Sequence, residues 1–186
     1  MPMKVSRDMQ TWHDVGYPGR ALEIGRFGEW DSGMLYGAAN MLVIDDEIRL
    51  YYLGANMGHY TRVLPLTRPY HTLGVGLATL RLDGFASMRA TGKPGVLTTR
   101  PMTFRGSRLE VNINTSQGSL QVELLDASGK PITGFTRADC LKASKDDLRY
   151  TIQWRGKPDL SALQTQSVRL RFYLEQGDLY AFQFRP

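Results

Sequence analysis

The chain has 186 residues, 42% of them hydrophobic, enough to bury a core without disulfides or bound metal. Its single cysteine, Cys140, excludes an internal disulfide framework and a cysteine-rich zinc site. Net charge is +5, from 23 basic and 18 acidic residues, but the excess lies in dispersed arginines such as Arg100, Arg105, Arg108, Arg169 and Arg171, which argues against a nucleic-acid partner.

Residues 1–10 carry no apolar run, so no signal peptide is expected. No stretch of about twenty apolar residues exists, so no spanning helix and no membrane partner are expected. Met3 to Trp12 reads as a short strand followed by a turn set by Ser6 and Asp8, with Trp12 packing over it. Gly16, Pro18 and Gly19 mark a loop. Residues 28–34, GEWDSGM, form the densest polar-aromatic knot in the chain. Leu35 to Ile44 predicts one strand, Asp45-Asp46 a turn, and Glu47 to Gly54 a second strand with Ile48, Leu50 and Tyr52 on one face. Residues 56–70 predict a loop holding His59. Thr72 to Leu82 is strand-like and dotted with glycines, a sign of close approach by another backbone. Asp83-Gly84 turns the chain. Four short strands by residue 82 predict one small antiparallel sheet.

After Gly84 short strands recur at regular spacing. Phe85 to Ala90 and Gly95 to Phe104, broken at Pro101, are the first two. Residues 107–125, SRLEVNINTSQGSLQVELL, alternate Leu109, Val111 and Ile113, then Leu120, Val122 and Leu124, around Ser116-Gln117-Gly118-Ser119. That pattern predicts a β-hairpin. A turn at Asp126 to Pro131 precedes Ile132 to Phe135, and ADCLKAS predicts a single helical turn. Leu148 to Trp154 and Val168 to Leu174 alternate with their apolar residues inward. Gly177-Asp178 turns into Leu179 to Phe184. About eight strands at this spacing predict a β-sandwich. Arg169, Arg171 and Tyr173 then share its solvated outer face, and Tyr150, Trp154, Phe172 and Tyr180 serve mainly as core.

Several segments resemble the end of a five-bladed β-propeller of glycoside hydrolase families 32 and 43. SRDMQTW matches an S-x-D-x-x-x-W turn, EIRLYYLGANMGH a D-E-I-x-L-Y-Y-x-G strand, and GVGLATLRLDGFASM the exit strand G-x-A-x-x-R-x-D-G-F. DASGKPITGF, DLRYTIQW, DLSAL and SVRLRFYLEQGDLYAFQF resemble the sandwich appended to such propellers. The resemblance implies an all-β fold: a propeller-blade-like antiparallel sheet over residues 1–83, then a jelly-roll-like β-sandwich over residues 84–186. A full propeller needs roughly 250 to 300 residues at four strands per blade, so the resemblance is to the C-terminal portion of a longer architecture.

The expected function is a non-catalytic, carbohydrate-associated module of a glycosidase-like protein, binding carbohydrate or stabilising a propeller. The alternative is a glycoside hydrolase active only with further blades or as an oligomer. Such hydrolysis needs two carboxyl groups about 5 to 9.5 Å apart, and Asp31 and Glu47 are the candidate acids. Trp30, Asp31 and His59 are the candidate ligand-binding residues, because an aromatic plane beside a carboxylate suits the apolar face and hydroxyls of a sugar. His13, His59 and His71 have no metal-ligand spacing, so neither a metal nor another cofactor is expected. Neither residue adjacent to Cys140 in sequence is a His or Lys that could activate it, so it reads as inert. An open face on the first sheet predicts that it packs on the sandwich or pairs with another chain, as a homo-oligomer or with a companion propeller segment.

Overall fold

The structure, a computed structural model, describes residues 3–15, 22–58, 72–156 and 159–186. The chain divides into two compact units, Met1–Ala86 and Ser87–Pro186. Both are all-β. Among the described residues there is no α-helix, and Ser161–Leu163 forms one 3-10 turn.

In the first unit, β1 (Lys4–Val5) and β2 (His13–Asp14) form a two-stranded ribbon. Its connection is the turn expected at Ser6 and Asp8. Ser6 Oγ accepts from Met9 N at 2.8 Å, and Asp8 Oδ1 accepts from Gln10 N at 2.9 Å and Thr11 N at 2.8 Å. Those backbone donors, first Thr11 and then Gln10, hold the Asp8 carboxyl well below the usual carboxylate range.

The remaining strands are β3 (Met34–Gly37), β4 (Leu42–Ile44), β5 (Glu47–Ala55) and β6 (Leu73–Arg81). β5 is central. β6 pairs with it along its whole length, from Glu47↔Arg81 to Ala55↔Leu73. β3 and β4 lie end to end on its other edge, as Met34↔Ala55 to Gly37↔Tyr52 and Leu42↔Arg49 to Ile44↔Glu47. The single strand expected over residues 35–44 is therefore interrupted. Residues 38–41 stand opposite residues 50–51, and the two surplus residues bulge out of the ladder. The expected strand at Met3 belongs to the ribbon instead. The sheet is thus three strands across among the described residues, where a propeller blade has four.

The second unit contains β7 (Met88–Ala90), β8 (Gly95–Thr98), β9 (Arg108–Asn114), β10 (Ser119–Asp126), β11 (Asp146–Thr151), β12 (Val168–Glu175) and β13 (Gly177–Arg185). They form two antiparallel sheets, ordered β10-β12-β8 and β11-β9-β13-β7. Leu109, Val111 and Ile113 of one sheet and Leu120, Val122, Leu124, Val168, Leu170 and Phe172 of the other belong to one buried core. This is a β-sandwich. Trp154 closes its side, its Nε1 donating to Val122 O at 2.9 Å and its ring edge-on to Phe135 with centroids 5.5 Å apart.

The hairpin expected over residues 107–125 does not form. β9 pairs with β11 and β13, while β10 pairs with β12, so the two strands lie in opposite sheets. Both apolar faces point into the core, and the connection at residues 115–118 arches from one sheet to the other. A second arch, at Gln176 with φ +40°, joins β12 to β13. The turn therefore falls one residue before the expected Gly177-Asp178. The two arches abut. A side chain at Gly118 would collide with Glu175 O, and one at Gly177 would meet Asn114 O at 2.7 Å. The expected helical turn is present but earlier, closed by Cys140 N donating to Thr136 O at 3.1 Å. Past it Ala143 bridges Leu120 in extended form.

Candidate functional site

The knot at residues 25–33 packs onto one face of β5 and β6. Glu29 N donates to Arg26 O at 3.0 Å, Arg26 N to Glu29 Oε2 at 2.6 Å, and Gly33 N to Ala55 O at 2.8 Å. The loop is therefore closed on itself and pinned to the end of β5. Strand alternation puts Tyr52 and Gly54 on the face it covers. Gly74 and Gly76 are their cross-strand neighbours on the same face.

These glycines form a floor without side chains. A Cβ at Gly54 would stand 2.7 Å from the Trp30 ring, one at Gly74 would stand 3.2 Å from it, and one at Gly76 would strike the Tyr52 ring. The glycines of the GVG strand are thus explained by two aromatic rings lying over them, and not by the close backbone expected from sequence. Trp30 and Tyr52 stack with centroids 5.8 Å apart and planes 20° from parallel. Trp30 keeps 37% of its surface exposed.

Asp31 lies beside this pair and is buried. Tyr52 Oη donates to Asp31 Oδ2 at 2.9 Å. Burial first, and then this hydrogen bond to an anion, push the Tyr52 hydroxyl pKa up from its ordinary value. Asp31 Oδ1 stands where a Gly25 side chain would be, and Glu29 Oε2 is 2.8 Å from the same point. The two carboxylates therefore converge on Gly25. Sequence reading missed Glu29 and Tyr52. The i, i+2 spacing of Glu29 and Asp31 around Trp30 was the available signal for the first. Nothing local marked Tyr52, which arrives 21 residues away.

Glu47 is elsewhere. It lies seven residues along β5 from Gly54, about 23 Å at the rise of an antiparallel strand. It also points to the opposite face, where it pairs with Arg49 Nε at 2.7 Å. Asp31 and Glu47 of one copy cannot flank a glycosidic bond. The expected acid pair is corrected on both distance and side. His59 lies outside the described residues, as does His71. Among the described residues no group of three or more His, Cys, Asp or Glu is placed to hold a metal ion.

In the sandwich, Trp154 and Phe172 are core residues rather than a sugar platform. The outer face of β10 and β12 carries a polar network centred on Glu123, whose side chain is buried. Glu123 Oε2 accepts from Tyr173 Oη at 2.9 Å and Arg171 Nη1 at 3.4 Å. Arg137 sits 4.4 Å above the Tyr173 ring and reaches Glu175 at 3.5 Å. Arg171 and Arg137 are thus matched by carboxylates on the same sheet, unlike the unopposed cations of a phosphate-binding stripe. Cys140 is buried, and desolvation pushes its thiol up to about 11.

No family model, curated protein or solved structure matches the chain. The likeness to propeller glycosidases rests on the short motifs alone.

Proposed function

We propose that this chain is a non-catalytic β-module that binds carbohydrate at the Trp30–Asp31–Tyr52 face of its N-terminal sheet. In this reading the sheet derives from a propeller blade of a glycosidase-like protein, and the sandwich is its jelly-roll-like carrier. The observation that supports it is the Trp30 ring. It is braced by Tyr52 and seated over Gly54 and Gly74, yet it remains partly open to solvent beside a buried carboxylate. A fixed aromatic plane offers the apolar face of a pyranose a surface to stack on, and Asp31, through Tyr52 Oη, holds that plane in place.

A hydrolytic role has less support. Asp31 is occupied by Tyr52, and Glu29 by the amide of Arg26. Both carboxylates tie the loop together. Calorimetric titration with a panel of soluble oligosaccharides tests the reading. The intact chain should bind at least one, and Trp30→Ala should weaken it by about tenfold or more, equivalent to 1.4 kcal/mol. No affinity for any member, or unchanged affinity in the variant, would reject it.

A further inference from the structure

The two units bury apolar residues very unequally. Among the described residues, two of the 23 buried hydrophobics, Ile48 and Ala55, belong to the first unit. Of the 20 exposed large hydrophobics, 17 belong to it. A single sheet with apolar residues on both faces is half of a two-layer domain.

The uncovered half can be located by register. On β5, Tyr51 and Leu53 point away from the Trp30 loop. Their cross-strand partners Leu77 and Val75, with Leu73 beyond, share that face, as does Tyr36 of β3. All six are exposed, Val75 to 73% and Leu73 to 64%. β6 is inverted relative to an ordinary surface strand. Leu73, Val75 and Leu77 face outward, and Gly74 and Gly76 face the covered side. Strands with one solvated face show the opposite alternation. The apolar strip continues through Leu42 and Ile44.

We infer that this outward face of the β3–β6 sheet is an interface with a second copy of the chain. Three observations favour that occupant. At about 150–250 Å² per tyrosine side chain and less for the aliphatic ones, the strip presents roughly 600 Å², at the upper end of the ~300–600 Å² of the largest patch on a typical monomer and approaching the ~800 Å² per partner of a stable interface. Its six central residues carry no charge, so two identical faces meet about a two-fold axis without burying like charges. At the far end Glu47 and Arg49 neutralise each other. A membrane-binding face would carry a rim of free basic residues, and among the six central residues a polar ligand would find only the hydroxyls of Tyr36 and Tyr51. The second copy supplies the missing layer, completing a two-sheet unit. The inference does not depend on carbohydrate binding.

Sedimentation analysis of the full chain tests it. The wild type should sediment as a dimer at micromolar concentration. Val75→Glu with Leu77→Glu should sediment as a monomer, with an unchanged far-UV spectrum. Val96→Lys, on an exposed sandwich strand, should remain dimeric. Should the glutamates unfold the sheet, a nitroxide on Val75→Cys decides, since a second label must then lie at short range in an intermolecular distance measurement. A wild type that stays monomeric, whether or not it binds lipid vesicles, overturns the inference. So does a double-glutamate variant that keeps its fold and still dimerises, or a labelled chain that shows no short distance.

Discussion

Tyr52 Oη donates a 2.9 Å hydrogen bond to Asp31 Oδ2, joining the central strand of the first sheet to the loop that carries Trp30. The loop's own backbone bonds close it and Gly33 N pins one end to Ala55 O, while this contact and the stacked rings hold it against the strand face. Tyr52→Phe should keep the stack and lose the bond, at a cost of about 1 kcal/mol. Hydrogen exchange at residues 25–33 should rise, with sandwich amides unchanged. The raised Tyr52 pKa has a definite sign. The folded state holds the phenolic proton more tightly than the unfolded state, so stability is intact below the ordinary tyrosine value of about 10. It is lost as pH rises through the folded value. Alkaline titration followed by tyrosinate absorbance should show late-titrating groups at Tyr52 and at Tyr150, whose hydroxyl burial also pushes up, and Tyr52→Phe should remove one of them.

The abutting arches make a second prediction. Gly118→Ala would place a methyl on Glu175 O, and relief requires moving the backbone of the other arch. Overpacking of this kind costs about 1–3 kcal/mol. Gly129 is the control. It has φ +92° and open space where a methyl would stand, so Ala there costs only the left-handed strain, up to about 1 kcal/mol. Urea unfolding followed by tryptophan fluorescence, with Trp12 and Trp30 replaced by Phe so that Trp154 alone reports, should rank Gly118→Ala as clearly the more damaging. Equal midpoints would show that the arches do not abut.

Cys140 gives the third. Val122 N donates to its Sγ at 3.2 Å, but desolvation dominates and lifts the thiol to about 11. The thiolate needed for reaction is scarce at neutral pH. An aromatic disulfide reagent at pH 8 should react with the native chain at least about a hundredfold more slowly than with the urea-unfolded chain. The neutral thiol destabilises nothing at pH 7. Its linkage cost appears only above the unfolded value and grows toward pH 11. Fast native-state labelling would show that the turn around Cys140 opens readily.

The parts legible in sequence were those governed by period. Val168, Leu170, Phe172 and Leu174 alternate, and all four are buried. The turns at Ser6–Asp8 and Asp83–Gly84 also stand where their side chains and glycine indicated. Partner choice was not legible. Leu109 to Ile113 and Leu120 to Leu124 announce which side they bury but not which strand lies beside them. Gly118 suits a hairpin turn and an arch equally, and only the approach of Glu175 O distinguishes the two. At the candidate site, Trp30 and Asp31 were recognisable as a pair. Glu47 was misassigned because nearness along the chain says nothing of which face or end of β5 a residue occupies. Tyr52 completes the site through a contact that no local pattern encodes.

The placement of β13 bears on how the molecule is made. It lies between β9 and β7, pairing Leu109 with Phe184 and Met88 with Leu179. A ribosome that has released everything up to Glu175 has produced one sheet's strands and left the other without its middle. Until β13 clears the exit tunnel, β9 offers an unsatisfied apolar edge to any passing chain or chaperone. Synthesis of this protein should therefore stay prone to misassociation until β13 has emerged, even after β12 has completed its own sheet.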